Sequence, residues 1–117
     1  MSVPVELADL AEKTASYGPV AYLVTAGPDG KPHVVSVAPS WEGDRLEAGA
    51  GRHTSENIAQ NPTATIMWAA PPGQPYCLIV DGQAEVGDSR LLLTPTRAVL
   101  HRVAQADEAL PSCVTVL

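Results

Sequence analysis

Polar chemistry in this chain gathers in one stretch, Gly49-Ala50-Gly51-Arg52-His53-Thr54-Ser55, which leaves an alternating apolar segment and enters a helical one. The first backbone N–H groups of a helix have no carbonyl to meet, and the aligned peptide dipoles leave partial positive charge there. Arg52 adds a planar cationic fork, while Thr54 and Ser55 add hydroxyl donors, so the set would hold a phosphate group. The same residues also permit a purely structural reading. Thr54 or Ser55 then caps the helix, Arg52 is solvated, and Glu56 opposes any anion.

Two neighbouring runs point to a flat ligand. Ser36, Ala38 and Ser40 alternate with Val35, Val37 and Trp41, and Glu47, Gly49 and Gly51 alternate with Leu46, Ala48 and Ala50. Strands carrying Ser, Ala and Gly let a planar molecule approach the backbone, although small residues equally fill a tight barrel interior. Other chemistries are missing from the pattern. There is no Gly-x-Ser-x-Gly elbow for a hydrolase. His33, His53 and His101 lie 20 and 48 residues apart, with no Cys-x-x-Cys or His-x-x-x-His spacing, so no metal site is expected. Gly49-Ala50-Gly51 half resembles a dinucleotide fingerprint but lacks its third glycine and lies among hairpins.

What must position these residues follows from composition and period. At 117 residues and 45% hydrophobic, the chain is expected to be one domain with its own core. Its net charge of -6 and seven Lys and Arg without a basic run argue against nucleic acid. The longest apolar run, residues 20–24, is far below the roughly 20 residues of a membrane span. Acid rather than Lys or Arg in residues 1–9 speaks against an export signal, so a cytoplasmic location is expected, with Cys77 and Cys113 reduced.

Eleven prolines and nine glycines require many turns, hence short elements. Apolar spacing predicts a helix over 4–16, stopped at Tyr17-Gly18-Pro19. Strands are predicted over 20–26, over 33–41 with Pro39 at an edge or bulge, and over 45–51. A short helix follows over 54–60, capped by Thr54 or Ser55 and ended by Asn61-Pro62. Three more strands are predicted over 63–69, 76–86 and 90–103. The expected fold is mainly β, a six-stranded antiparallel barrel with a short helix between strands 3 and 4 and an N-terminal helix. Its parts are the helix in 1–18, the barrel in 19–103 and a tail in 104–117. Open strand edges in so small a barrel call for a symmetric partner, so a homodimer is expected.

Four blocks in order carry a family resemblance: Val20-Ala21-Tyr22-Leu23-Val24-Thr25, Asp29-Gly30-Lys31-Pro32-His33-Val34-Val35, Asn57-Ile58-Ala59-Gln60-Asn61-Pro62 and Leu78-Ile79-Val80-Asp81-Gly82-Gln83-Ala84. Over roughly residues 5–103 the chain resembles the pyridoxamine 5'-phosphate oxidase-like, FMN-binding split-barrel family. The resemblance implies a split barrel working as a homodimer, with FMN, or in an actinobacterial branch the deazaflavin coenzyme F-420, in grooves at the dimer interface. Haem, bound by a few relatives, is the less favoured ligand. By position, Arg52, His53, Thr54 and Ser55 fall where the family holds the cofactor phosphate, with Asn57 behind them. Ser36, Val37 and Ala38, with Ala48, Gly49 and Ala50, fall where its strands meet the ring.

The implied function is a flavin- or deazaflavin-dependent oxidoreductase acting on a small molecule, with a non-catalytic cofactor- or haem-binding protein as the alternative. His33 or Tyr76 would neighbour the substrate, and no catalytic residue is assigned. Two departures from the family are plain. Thr54 stands where many relatives have Lys, and the C-terminal arginine segment of true pyridoxamine phosphate oxidases has no counterpart. Pyridoxamine phosphate oxidation itself is therefore not expected.

Overall fold

The computed structural model describes residues 2–103; Cys113 and the predicted tail 104–117 lie outside the described residues. Strand β1 (Ser2–Pro4) leads through a 3-10 turn (Leu7–Asp9) into helix α1 (Leu10–Ala15). Then come β2 (Ala21–Ala26), β3 (Pro32–Val37), β4 (Ser40–Glu42), β5 (Arg45–Gly49), α2 (Arg52–Gln60), β6 (Thr63–Trp68), β7 (Cys77–Gly87) and β8 (Arg90–His101). All strand pairs are antiparallel, in the order β3-β2-β6-β7-β8-β5-β4 with β1 added on β8.

The edge strands β3 and β4 are consecutive in the chain, joined by Ala38 and Pro39 alone, so the sheet curls back on itself as a split barrel. The single strand expected over 33–41 is therefore two. Pro39 offers no N–H to a ladder, and the chain changes partner there from β2 to β5. This break and the added β1 turn the six expected strands into eight.

The first helix also differs from the expectation over 4–16. Ser2–Pro4 pairs with Val99–His101, and the Val5 N–H extends the contact to the Ala98 carbonyl at 2.9 Å. On this side of β8, β5 pairs only at Arg90–Leu93, so the far end is an open edge that the N-terminal residues fill. Helical structure starts after them, and Leu10 is buried in the core.

Inward rows follow the period of two. Leu78, Val80, Gly82 and Ala84 of β7 are buried, together with Leu23, Leu46, Ile66, Leu91 and Leu93 from the surrounding strands. Gly82 lies where β7 and β8 slip register; a Cβ there would stand 2.3 Å from the Thr94 carbonyl oxygen. Trp41 Nε1 donates to Thr14 Oγ1 at 2.8 Å, and the Tyr17 hydroxyl donates to the Tyr76 carbonyl at 3.0 Å, tying α1 and its exit to the barrel. Burial, with Cys77 nearby, pushes the Tyr17 hydroxyl pKa up. Among the described residues no helix is long and apolar enough to cross a membrane.

Candidate functional site

Helix α2 begins two residues earlier than its spacing suggests, with Gly51 as its N-cap in an extended conformation and no side-chain cap. Thr54 and Ser55 therefore lie inside the helix and are not caps. Thr54 is turned into the protein and is 2% exposed, and Ser55 Oγ donates back to the Gly51 carbonyl at 2.8 Å. The first helical bond runs from Ser55 N–H to Gly51 at 3.0 Å, so the N–H groups of Arg52, His53 and Thr54 precede it. Arg52 is widely exposed and reaches Glu56 at 3.8 Å, a loose pairing that leaves its guanidinium available.

The helix is held by its other face. Asn57 Nδ2 donates to Thr25 Oγ1 of β2 at 3.1 Å in a buried contact, and Ile58 joins the core. Asn57 is thus the anchor that aims the first turn rather than a group presented on the surface. The turn meets the start of β3, where the rings of His33 and His53 lie 6.0 Å apart between centroids. Nδ1 of His33 is buried without a hydrogen-bond partner. The sequence offered these two histidines separately; their meeting depends on tertiary structure, and no spacing announces it.

The six strand positions divide by parity. Ser36 and Ala38 are exposed on the outer row, as is Gly49, whose missing Cβ has no neighbour within 4 Å. Val37 packs against the core, and Ala48 and Ala50 are buried, so their side chains serve the interior. His33 and Tyr76 do not share a site. His33 pairs with Thr25, whose neighbour Val24 lies across β6 from Asp81, and Tyr76 lies five residues before Asp81. That is roughly 17 Å along the strand.

One charged group next to this face went unnoticed in the sequence. Arg90 pairs across from Gly49 and holds Glu47 through two hydrogen bonds and Glu42 at 3.1 Å. Hydrogen bonding to Arg90 holds the Glu47 carboxyl pKa below its usual range. Its two carboxylates occupy Arg90, whereas Arg52 is only loosely engaged by Glu56. Of the candidate residues, Ser36, Ala38, Gly49, Arg52 and His53 are exposed. They do not line the hollow of about 360 Å³ beside Leu7, Trp41 and Pro95, nor the one of about 310 Å³ beside Glu42, Glu85 and Arg90.

Comparison with known proteins gives consistent results. The family model described as pyridoxamine 5'-phosphate oxidase matches residues 9–111. An uncharacterised protein of Mycobacterium bovis is 35% identical over 122 residues, covering 88% of this chain and 84% of its own. Among solved structures, a haem-binding protein from Mycobacterium smegmatis superposes with a TM-score of 0.64 at 20% identity over 82% of this chain, which spans 54% of that protein's length. An FAD-binding protein of the same organism gives 0.60 at 15% identity, covering 87% of this chain and 100% of that one. An F420 reductase gives 0.55 at 20% identity, covering 79% of this chain and 93% of that one.

Proposed function

Since the chain belongs to the pyridoxamine 5'-phosphate oxidase-like split-barrel family, we propose that it binds a phosphate-bearing flavin, FMN or the deazaflavin F-420, and works as a flavin-dependent oxidoreductase on a small molecule. The observation that carries this reading is the free first turn of α2. Three backbone N–H groups there precede the first helical bond, beside the exposed Arg52. The fold supports the same reading through neighbours named for FAD and F420.

In this proposal Arg52 and the N–H groups of Arg52, His53 and Thr54 hold the phosphate. Ser36, Ala38 and Gly49 let the ring lie against the strands. Gly49 is informative because the fold leaves its Cβ position empty, so packing does not require glycine there. When bound, the flavin ring supplies the hydride chemistry, and the protein supplies binding and orientation.

A site of exposed residues needs a second wall, and we assign that role to a second copy of the chain. The outer rows of β3, β2, β6 and β7 place Val34 beside Val24, Tyr22 beside Met67, and Met67 beside Ile79. Tyr22 and Val34 are exposed, an apolar patch on a sheet face that a symmetric partner would cover.

The test is titration of the purified protein with FMN and with F-420, followed by quenching of cofactor fluorescence. Saturable binding of one of them is expected, and Arg52→Ala should weaken it about tenfold or more, the worth of a charge-assisted contact to phosphate. Absence of binding by both cofactors would refute the reading.

A further inference from the structure

His33 opens the inward row of β3 opposite Thr25, and His53 stands in the first turn of α2. Their rings approach to 6.0 Å with a 50° tilt, and His33 keeps a buried Nδ1 without a hydrogen-bond partner. Packing does not explain this arrangement, because His53 is exposed and His33 leaves a polar atom unsatisfied. Histidine is the side chain whose charge ordinarily changes between about pH 5 and 8. We propose that the pair makes anion binding at α2 proton-linked: a phosphate-class dianion settling on the first turn draws a proton onto His33 and His53, so the site tightens as pH falls. This rests on the phosphate site proposed above and adds its regulation.

The physical basis is the balance of charge around the two rings. A dianion on the first turn attracts positive charge on both rings, so each ring takes a proton more readily with the anion present than without it. Linkage then requires that protons strengthen the anion as much as the anion strengthens the protons.

The charged groups around the pair lie on α2, in the turn into β3, and on β7. On α2 these are Arg52 and Glu56, loosely joined at 3.8 Å. In the turn leading into β3 they are Asp29 and Lys31; the Asp29 carboxylate accepts the Lys31 backbone N–H at 3.2 Å, and the Lys31 ammonium adds a second positive charge near the pair. Strand β2 carries no Asp, Glu, Lys, Arg or His, and its Tyr22 lies on the outer row away from Thr25. On β7, which packs against α2, Asp81 is held by Arg97 and Glu85 by Arg45.

The experiment is calorimetric titration of the full chain with sulfate from about pH 5.5 to 8 at constant ionic strength, in two buffers of different ionisation enthalpy. Sulfate keeps its double charge throughout, so any pH dependence belongs to the protein. Affinity should rise roughly tenfold across this range, with protons taken up from the buffer. The combined His33→Gln and His53→Gln variant should flatten the profile and abolish the uptake, while His101→Gln should keep both. Sulfate binding with a flat profile, or a slope that survives the double variant, overturns the proton linkage and leaves the anion site standing. No sulfate binding at any pH removes the anion site, and the linkage with it.

Discussion

At the scale of single residues, the structure sorts the candidate residues by burial, and the fates of several differ from the roles their types suggest. Arg52, His53 and Gly49 are exposed, as their types suggest. Thr54, Ser55, Ala48 and Ala50 are spent on the interior or on the helix, because one residue of phase decides which way each points. Gly49 tests the difference. A Cβ added there meets no atom within 4 Å, so Gly49→Ala should leave the denaturation midpoint nearly unchanged while lowering cofactor affinity. Equal affinity in wild type and variant would remove Gly49 from the ring site. Arg90 makes a second, independent prediction. Because hydrogen bonding to Arg90 depresses the Glu47 carboxyl, its stabilising effect is full above the usual glutamate range and fades as pH falls through the lowered value. Melting temperature should therefore drop less between about pH 7 and pH 3 in Glu47→Gln than in wild type. Parallel losses in both proteins would show that the pair contributes nothing to folding.

Among elements, strongly alternating segments were legible and the places where strands change partner were not. The row Leu78, Val80, Ala84 could be read directly, since a half-buried strand must alternate. The break at Ala38-Pro39 and the capture of Ser2–Pro4 by β8 depend on which edge is free in three dimensions, and local pattern carries no such information. Gly82 is a similar case. It sits buried in the inward row of β7, and a Cβ there would stand 2.3 Å from the Thr94 carbonyl oxygen and 2.9 Å from its carbon. Backbone cannot yield there as a side-chain tip would, so β7 and β8 would have to part at their register slip. Gly82→Ala should cost about 2–3 kcal/mol in urea denaturation, the upper part of the overpacking range. Gly87→Ala, with an open Cβ position, serves as the control. Equal losses in the two variants would show that the close approach is relieved elsewhere.

For the whole molecule, the question is what a second copy would add to the proposed site. Curling the sheet joins β3 to β4 and buries one set of rows, but it leaves the opposite rows of β3, β2, β6 and β7 turned outward. There Val34, Val24, Tyr22, Met67 and Ile79 are linked by direct pairing or shared neighbours, with the hydrogen-bonded group Thr65, Asp81 and Arg97 beside them. An apolar centre with a satisfied polar margin is how a protein–protein interface is built. Ser36 lies opposite Tyr22 in this surface, so a second copy placed on it would also wall in the proposed ring position. Dimerisation and cofactor binding should then fail together. Met67→Glu puts a charge in the middle of the patch while sparing the core, because Met67 lies on the outer row between the buried Ile66 and Trp68. Light scattering during size exclusion should show a dimeric wild type and a monomeric variant, with thermal unfolding of the variant still cooperative. Fluorescence titration should show FMN or F-420 affinity falling with the loss of the dimer. A monomeric wild type that binds cofactor, or a monomeric variant that binds it as tightly as wild type, would mean that one chain holds the whole site and that the apolar row faces something else.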